Sequence, residues 1–159
     1  MQAGSKVLAR SAFNKYPGIF VEHQGHEGHQ GHQEIGAGLD DLARTEVDAG
    51  LKIHKALGPG LLESAYEHCL AHELRNRGVA VQRQVALPIV YEGLTLEVGY
   101  RLDLLVQNSI VVEVKAVDAL TRVNDAQVLT YLRLSGHRLG FLLNFNVELF
   151  KQGVRRFVI

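Results

Sequence analysis

The sequence predicts a single α/β domain, because helical and strand periodicities alternate along most of the chain. Apolar residues recur every three or four positions in 39–57 and again in 60–77, on either side of a Gly-Pro-Gly segment that a helix cannot continue through. Runs rich in β-branched residues follow, and an amphipathic stretch separates them from another apolar run. These observations predict the order α-α-β-β-β-α-β, with a further strand at the C-terminus.

Composition narrows the class of protein. With 159 residues, of which 47% are apolar and 21% charged, the chain has enough apolar side chains for one packed core. No run approaches the roughly 20 apolar residues that a membrane-spanning helix needs, which excludes an integral membrane protein. The single cysteine, Cys69, excludes an internal disulfide and a cysteine-based zinc site. Since the N-terminus lacks the apolar segment of a secretory signal, the expected compartment is the cytoplasm.

The N-terminal stretch differs from the rest of the chain. Residues 1–38 contain histidines at three-residue spacing among glycines and glutamines, namely His23, His26, His29 and His32. Such a composition has little to bury, so we expect a flexible leader at 1–38 and a folded domain at 39–159. Two interpretations of the histidines remain open. They converge on a transition-metal ion, or they belong to a low-complexity leader with adventitious metal affinity.

The folded part divides into predicted elements with recognisable ends. Strands are expected at 79–90 (interrupted by Pro88), 96–106, 110–117, 139–145 and 154–159. A third helix is expected at 122–135, where Gly136 ends it. Spacing predicts that its inward side chains are Val123, Ala126, Leu129 (or Thr130) and Leu134.

Charged residues inside two neighbouring strands form the first candidate site. Asp103 interrupts one apolar run, and Glu113 and Lys115 interrupt the next. Because side chains alternate faces along a strand, Glu113 and Lys115 share a face with Val111. A three-residue loop at 107–109 would place Asp103 directly opposite Glu113, with Cβ atoms about 4.5–5.5 Å apart.

This pair of carboxylates allows two interpretations. Facing carboxylates repel each other unless a cation lies between them, and a hard divalent ion such as Mg²⁺ or Mn²⁺ prefers such oxygen ligands. Alternatively, Arg101 and Lys115 neutralise Asp103 and Glu113 diagonally in a solvent-facing charge ladder. A two-residue turn would place the two carboxylates on opposite faces of the sheet.

Two helical features bear on this choice. Glu63 lies beside the apolar stripe of the second helix, three residues before Tyr66, so its carboxylate points towards the sheet or is a first-turn charge favoured by the helix dipole. Gln127 and Tyr131 are four residues apart on the third helix and share a face. They could bind a phosphate backbone or hold a catalytic lysine, or they form an ordinary amphipathic edge.

In combination, these residues resemble the PD-(D/E)XK nuclease superfamily. Asp103 is followed ten residues later by Glu113-Val-Lys115, on adjoining predicted strands that come after an acidic helix. The Gln127-x-x-x-Tyr131 pair is similar to the QxxxY motif of one branch of that superfamily.

A narrower resemblance is to the small bacterial GxxExxY family. Its signature matches Gly60-Leu-Leu-Glu63-Ser-Ala-Tyr66, and the likeness covers about residues 43–158. Further similar segments lie at 53–60, 99–106, 132–136 and 144–147. The chain departs from the superfamily in one position, since Leu102 stands where a proline usually precedes the first aspartate.

The resemblance implies a fold and a metal site. The implied fold is a restriction-endonuclease-like core, in which helices flank a mixed central sheet with the order αβββαβ, plus an extra N-terminal helix. The implied ligands of Mg²⁺ (or Mn²⁺) are the side chains of Glu63, Asp103 and Glu113 and the backbone carbonyl of Val114. The ion would lower the pKa of a bound water and polarise the scissile phosphate.

The resemblance also implies roles for the remaining candidates. Lys115 would orient or deprotonate the attacking water and stabilise charge in the transition state. Gln127 and Tyr131 would brace Lys115 or the substrate backbone. Arg101 would either contact a phosphate or form a salt bridge to Glu113.

The implied function is metal-dependent hydrolysis of DNA. The net charge is zero, but residues 121–159 carry a net charge of +4 and residues 41–120 one of −3, and a local basic region is what attracts a polyanion. The expected partner is therefore nucleic acid, DNA in particular, with no membrane; a homodimer is compatible with so small a site. Two alternatives are a nucleic-acid-binding or accessory module with little turnover alone, and a metal-binding or protein-interaction protein that uses the leader.

Overall fold

The structure, a computed structural model, describes residues 36–97 and 100–159. The first helix begins at Ala37, two residues earlier than the sequence indicates. The histidines of the predicted leader lie outside the described residues. None of the described helices has both the length and the apolar content that crossing a membrane requires.

Three helices and seven strands make up the described part of the chain. The helices are α1 (Ala37–Leu57), α2 (Glu63–Asn76) and α3 (Arg122–Ser135). The strands are β1 (Val81–Ala86), β2 (Ile89–Tyr91), β3 (Leu94–Leu96), β4 (Arg101–Val106), β5 (Ile110–Lys115), β6 (Leu139–Asn144) and β7 (Val154–Val158). A 3₁₀ turn, Phe150–Gly153, precedes β7.

Five strands form one mixed sheet in the order β1-β4-β5-β6-β7. The β5–β6 pair is parallel, and the other neighbouring pairs are antiparallel. One apolar cluster joins a face of the sheet to α1 and α2, and it includes the buried Tyr66 and Phe141. A second cluster, which includes Val128 and Leu142, joins the opposite face to α3. The predicted mixed central sheet flanked by helices is therefore confirmed.

Helix α3 has the predicted bounds but presents a different face to the sheet. Val123 is 76% exposed and Leu134 is 40% exposed, and Ala126 is exposed as well, so the prediction that these three face inward is wrong. Leu129 does pack, partly buried, against the second cluster. The side chains buried from this helix are Asp125, Val128, Tyr131 and Leu132. The reason is that the inward face is partly polar: Asp125 accepts a hydrogen bond from Arg155 of β7 at 2.6 Å. Apolar periodicity alone therefore selects the wrong stripe.

Two predicted strands are each divided in the structure. The run 79–90 contains β1 and most of β2, and the run 96–106 contains the end of β3 and all of β4. Strands β2 and β3 form a separate two-stranded sheet. Pro88 lies between β1 and β2, where its missing N–H would interrupt a continuous ladder. The β2–β3 hairpin is therefore separate from the main sheet. The pattern of apolar residues does not predict this separation.

The β4–β5 hairpin has the predicted register. Its paired residues are Leu104 with Val112, Leu105 with Val111, and Val106 with Ile110. The loop at 107–109 has three residues, and Gln107 and Asn108 adopt left-handed backbone conformations with φ of 46° and 51°. Continued by one residue, this register puts Asp103 opposite Glu113.

Beyond these paired residues the two strands part. Strand β4 stays paired with β1 through Leu102 and Arg101, whereas β5 stays paired with β6 through residues 113–115. We call this divergence the fork, and it consists of residues 101–103 of β4 and 113–115 of β5. The sheet thus opens at the point where the sequence places its charged residues.

Candidate active site at the fork

Asp103 takes the place of a backbone partner where the strands part. Its Oδ2 accepts a hydrogen bond from the backbone N–H of Val114 at 2.9 Å. In a continuous antiparallel ladder this N–H would donate to a carbonyl of the neighbouring strand. The aspartate therefore satisfies a buried backbone donor and is itself held at the gap.

Glu113 is a buried carboxylate with one oxygen in use. It is 2% exposed, and its Oε1 accepts a hydrogen bond from Lys115 Nζ at 2.7 Å. Its Oε2 is buried and has no hydrogen-bond partner among the described residues. Burial and the charge of Asp103, partly offset by Lys115, raise the pKa of Glu113 from 4.5 to about 7. A cation at this oxygen would relieve both the desolvation and the repulsion.

Lys115 places an ammonium group between acids from two elements. Its Nζ lies 2.7 Å from Glu113 Oε1 and 3.9 Å from Glu63 Oε1. Burial acts to lower the pKa of Lys115, but the hydrogen bond to Glu113 and the charges of Glu113, Glu63 and Asp103 outweigh burial and raise it. In this arrangement the lysine is the counter-ion of the acidic cluster.

Glu63 brings helix α2 to the fork. It is the first residue of α2, and its Oε2 accepts a hydrogen bond from the backbone N–H of Ala116 at 3.3 Å. Its side chain is 44% exposed, so the carboxylate is open to solvent on one side. The two sequence interpretations of Glu63 are compatible, because Glu63 is an acid in the first turn of α2 and its carboxylate also points at the sheet.

Four predicted site residues therefore lie together: Glu63, Asp103, Glu113 and Lys115. Val114 contributes its backbone to the same place, while its side chain packs in the cluster beneath α1 and α2. The metal-binding role of its carbonyl oxygen stays a prediction, as do the catalytic roles of the other residues.

Gln127 and Tyr131 form a pair on the face of α3 that covers the fork. Gln127 Nε2 donates a hydrogen bond to the Tyr131 hydroxyl at 2.8 Å. Burial raises the pKa of Tyr131, and the charges of Glu113, Lys115 and Asp103 also act on it. Among the hydrogen bonds of the described residues, this pair is joined to itself and makes none to Lys115. The bracing of Lys115 or of the substrate backbone by this pair stays a prediction.

Arg101 lies at the exposed start of β4. Its Nη1 donates a long hydrogen bond of 3.5 Å to the backbone oxygen of Gln84. No ion pair within the described ranges joins Arg101 to Glu113, whose Oε1 is bound by Lys115. The salt-bridge interpretation of Arg101 is therefore wrong, and the phosphate contact stays a prediction.

Sequence reasoning missed a chain of polar residues behind Asp103. Gln84 Nε2 donates to Asp103 Oδ1 at 3.2 Å and to Glu67 Oε2 at 2.9 Å. Arg83 Nε donates to the other oxygen of the buried Glu67 at 3.0 Å. One signal could have found Glu67: it follows Glu63 by one helical turn, and beside Tyr66 it shares the buried side of α2.

A second missed residue fixes the segment that follows Lys115. Asn144, at the end of β6, is 1% exposed. Its Oδ1 accepts a hydrogen bond from the Val117 N–H at 3.0 Å, and its Nδ2 donates to the Val117 oxygen at 2.8 Å. The side chain therefore extends the pairing of β5 with β6 by one step beyond Lys115.

The carboxylate oxygens at the fork suit a hard divalent ion. Across residues 36–97 and 100–159, no three His, Cys, Asp or Glu side chains are already arranged as a closed set of metal ligands. Glu63 and Glu113 have the Lys115 ammonium as their counter-ion. Three carboxylates, one of them with an unpartnered buried oxygen, are nevertheless the oxygen ligands that Mg²⁺ and Mn²⁺ prefer.

Comparison with known proteins gives one match. A sequence model described as the PD-(D/E)XK nuclease superfamily matches residues 40–157, a span that contains every candidate site residue. No curated protein and no solved structure matches the chain.

Proposed function

Because the chain belongs to the PD-(D/E)XK nuclease superfamily, we propose that it is a nuclease that hydrolyses phosphodiester bonds of DNA with Mg²⁺ or Mn²⁺. The observation that carries this proposal is the fork, where Glu63 and Glu113 both lie within 4.0 Å of Lys115 and Asp103 faces them. Its most direct support is the buried Glu113 oxygen that has no hydrogen-bond partner in the described part of the chain.

Three side chains and one backbone group would hold the ion. These are the carboxylates of Glu63, Asp103 and Glu113 and the carbonyl oxygen of Val114. Once bound, the ion supplies a Lewis acid for the phosphate and activates water for attack. The protein supplies the position of these ligands, because Asp103 and Glu113 are fixed by the strands on either side of the gap.

Lys115 supplies positive charge where the reaction develops negative charge. In hydrolysis the water oxygen forms a bond to phosphorus, and the bond from phosphorus to the leaving sugar oxygen breaks. Charge accumulates on the phosphate oxygens meanwhile, and a fixed ammonium group in a partly buried site stabilises it. Gln127 and Tyr131 would orient Lys115 or the substrate backbone, and Arg101 would contact a neighbouring phosphate.

The finer assignments are part of the proposal. Gly60, Glu63 and Tyr66 support membership of the bacterial GxxExxY family. DNA as substrate is supported by the superfamily and by the basic C-terminal quarter of the chain. A cytoplasmic location suits a chain whose single cysteine is free. A homodimer would let two such sites address two strands. We keep residues 1–38 as a leader outside the nuclease domain, 39–159.

Cleavage of plasmid and single-stranded DNA tests the proposal. The full chain is incubated with Mg²⁺, with Mn²⁺ or with EDTA, and Asp103→Asn and Lys115→Ala are compared with wild type. We expect cleavage that requires a divalent ion, and a rate at least about 100-fold lower in both variants. Matched controls are Asp41→Asn, whose side chain is 73% exposed, and the exposed Lys151→Ala; both should cleave at the wild-type rate.

The outcomes separate the candidate functions. Cleavage at wild-type rates by both fork variants, in preparations free of contaminating nuclease, would overturn the proposal. Salt-sensitive DNA binding without cleavage under either ion would instead support the accessory module. A parallel assay on RNA of the same sequence decides between the two nucleic acids.

A further inference from the structure

We propose that Gln84 is a positioning residue that orients Asp103 for metal binding, and that Glu67 and Arg83 hold Gln84 in place. None of the three belongs to the motifs that carry the family resemblance. The inference rests on the proposed function, because it treats Asp103 as a metal ligand.

The Asp103 carboxylate is held at both oxygens. Oδ2 accepts the N–H of Val114 at 2.9 Å, and Oδ1 accepts Gln84 Nε2 at 3.2 Å. The terminal torsion of an aspartate is soft, so a single bond would leave the carboxylate free to turn. Two bonds from opposite strands fix its plane, and each oxygen keeps a further lone pair for an ion.

The backbone departs from regular strand geometry at the residue that faces Asp103. On either side, Arg83 pairs with Leu104 and Val85 pairs with Leu102. Between them Gln84 has a φ of 51°, a left-handed conformation that glutamine rarely adopts. Such strain persists only where the surrounding structure enforces it, and it is typical of functional sites. Here its effect is to direct the amide between two carboxylates.

The other hydrogen of the same amide anchors Gln84. It is donated to Glu67 Oε2 at 2.9 Å, and Arg83 Nε binds the opposite oxygen of Glu67 at 3.0 Å. Glu67 is 6% exposed, so its carboxylate depends on these two donors. Because an ionised carboxylate only accepts, both partners require the NH₂ group of the amide to face them. The orientation of Gln84 is thereby determined from both ends.

A neutral donor at this position has a chemical advantage. A lysine or arginine beside Asp103 would neutralise the carboxylate and compete with the metal ion. An amide orients Asp103 and leaves its full negative charge for the cation. The guanidinium of Arg83 neutralises Glu67 on its far side instead. Partners of this kind behind a metal ligand typically change metal affinity by about 10- to 100-fold.

Calorimetric titration of the full chain with Mn²⁺ tests this inference without relying on catalysis. Wild type is compared with Gln84→Asn, Gln84→Met and Asp103→Asn, and the Tm of each is measured without metal. Gln84→Asn is the sharpest variant, because asparagine tolerates a positive φ better than glutamine does while its shorter side chain cannot reach both carboxylates. The matched control is Gln82→Asn, an exposed glutamine of the same strand.

We expect Gln84→Asn and Gln84→Met to weaken Mn²⁺ binding by about 10-fold or more, while Gln82→Asn binds as wild type does. The Tm of Gln84→Asn should fall, because the buried Glu67 loses a hydrogen-bond donor, so the affinity of each variant is measured well below its melting transition. A merely structural role for Gln84 would lower the Tm and leave the Mn²⁺ affinity of the folded chain at the wild-type value. If Gln84→Met does not fold, Gln84→Asn decides the question alone.

Two results would overturn the inference in different ways. Wild-type Mn²⁺ affinity in Gln84→Asn, with Asp103→Asn clearly weakened, removes the positioning role and leaves the proposed function intact. A wild-type chain that binds no Mn²⁺, or an Asp103→Asn variant that binds it equally well, removes the metal role of Asp103 and this inference with it.

Discussion

The two halves of the β4–β5 hairpin belong to the same two strands but carry side chains of opposite character. In the joined half, residues 104–106 pair with residues 110–112, and every side chain is apolar and buried. In the forked half, residues 101–103 and 113–115 carry two acids and two bases, and the strands are no longer paired with each other. The joined half therefore sets the position, and the forked half presents the charged groups at that position.

The cause of the difference lies in what each half can bury. Apolar side chains are stabilised by removal from water, and paired strands satisfy their backbone groups. Facing carboxylates gain nothing from close approach, and Asp103 replaces the backbone partner of Val114. A site of this kind stores like-charge repulsion that a cation releases, at the expense of stability when no cation is bound.

The largest effect is expected from Glu113→Gln in the forked half. The variant keeps the shape of the side chain but removes the charge that the proposed ion requires. We expect cleavage to fall by at least about 1000-fold, or about 4 kcal/mol of transition-state stabilisation, with Mn²⁺ binding weakened in parallel. Single-turnover rates and calorimetry measure this. Glu148→Gln, at an exposed residue, is the control, and an undiminished rate in Glu113→Gln would contradict the role of the forked half.

Leu104→Ala in the joined half should show the reverse pattern. Leu104 is fully buried, and truncation of such a leucine removes contacts and leaves a cavity, which costs about 3 kcal/mol. Urea unfolding should report this loss, while Mn²⁺ affinity below the melting transition stays near that of wild type. Leu94→Ala, at a leucine that is 58% exposed, should change little. A large loss of affinity with little loss of stability would erase the distinction between the halves.

The joined half was predictable from sequence, and so was much of the forked half. The sequence allowed either a three-residue loop at 107–109 or a two-residue turn, and the structure has the three-residue loop. With that loop, the alternation of side chains places Asp103 opposite Glu113. Glu63 was placed by helical periodicity and resemblance. The roles of these residues in chemistry remain predictions.

What could not be predicted depends on contacts between distant elements. Gln84 joins Glu67 and Asp103 through a strained backbone conformation, and no local pattern predicts a positive φ for a glutamine inside a strand. The predicted inward face of α3 was wrong for a similar reason, because Asp125 is buried against its hydrogen-bond partner Arg155 on β7. In both places a polar tertiary contact overrides the apolar pattern.

Asn144→Ala tests how far the fork depends on support from β6. The substitution leaves the Val117 N–H and carbonyl without their side-chain partner, at a cost of about 2 kcal/mol. We expect lower stability and faster hydrogen exchange at the Val117 amide, together with a smaller loss of cleavage than in Glu113→Gln. Asn76→Ala, at an exposed residue of α2, should leave both unchanged. A wild-type rate of hydrogen exchange at the Val117 amide would show that the segment after β5 keeps its conformation without Asn144.

Glu46→Gln tests burial of an acid away from other charges, and it should have the smallest effect on cleavage. Glu46 in α1 is fully buried, and neither carboxylate oxygen has a hydrogen-bond partner within the described residues. Burial raises its pKa well above the ordinary value of 4.5. The folded chain therefore keeps a proton that the unfolded chain loses as the pH rises above that ordinary value. Stability is then lost with rising pH, by at most about 1.4 kcal/mol per pH unit, until the raised pKa is passed.

Glutamine cannot titrate, so the variant lacks this loss. Chemical unfolding at pH 4, 5.5 and 7 should give a stability advantage of Glu46→Gln over wild type that grows with pH, whereas Asp41→Asn gives a nearly constant difference. Cleavage should be unchanged, because Glu46 takes no part in the fork. A pH-independent difference would mean that Glu46 is ionised in the folded state. Glu46 and Glu113 are both buried, but only Glu113 lies beside other charged side chains of the proposed site. Only the substitution of Glu113 should therefore lower the cleavage rate.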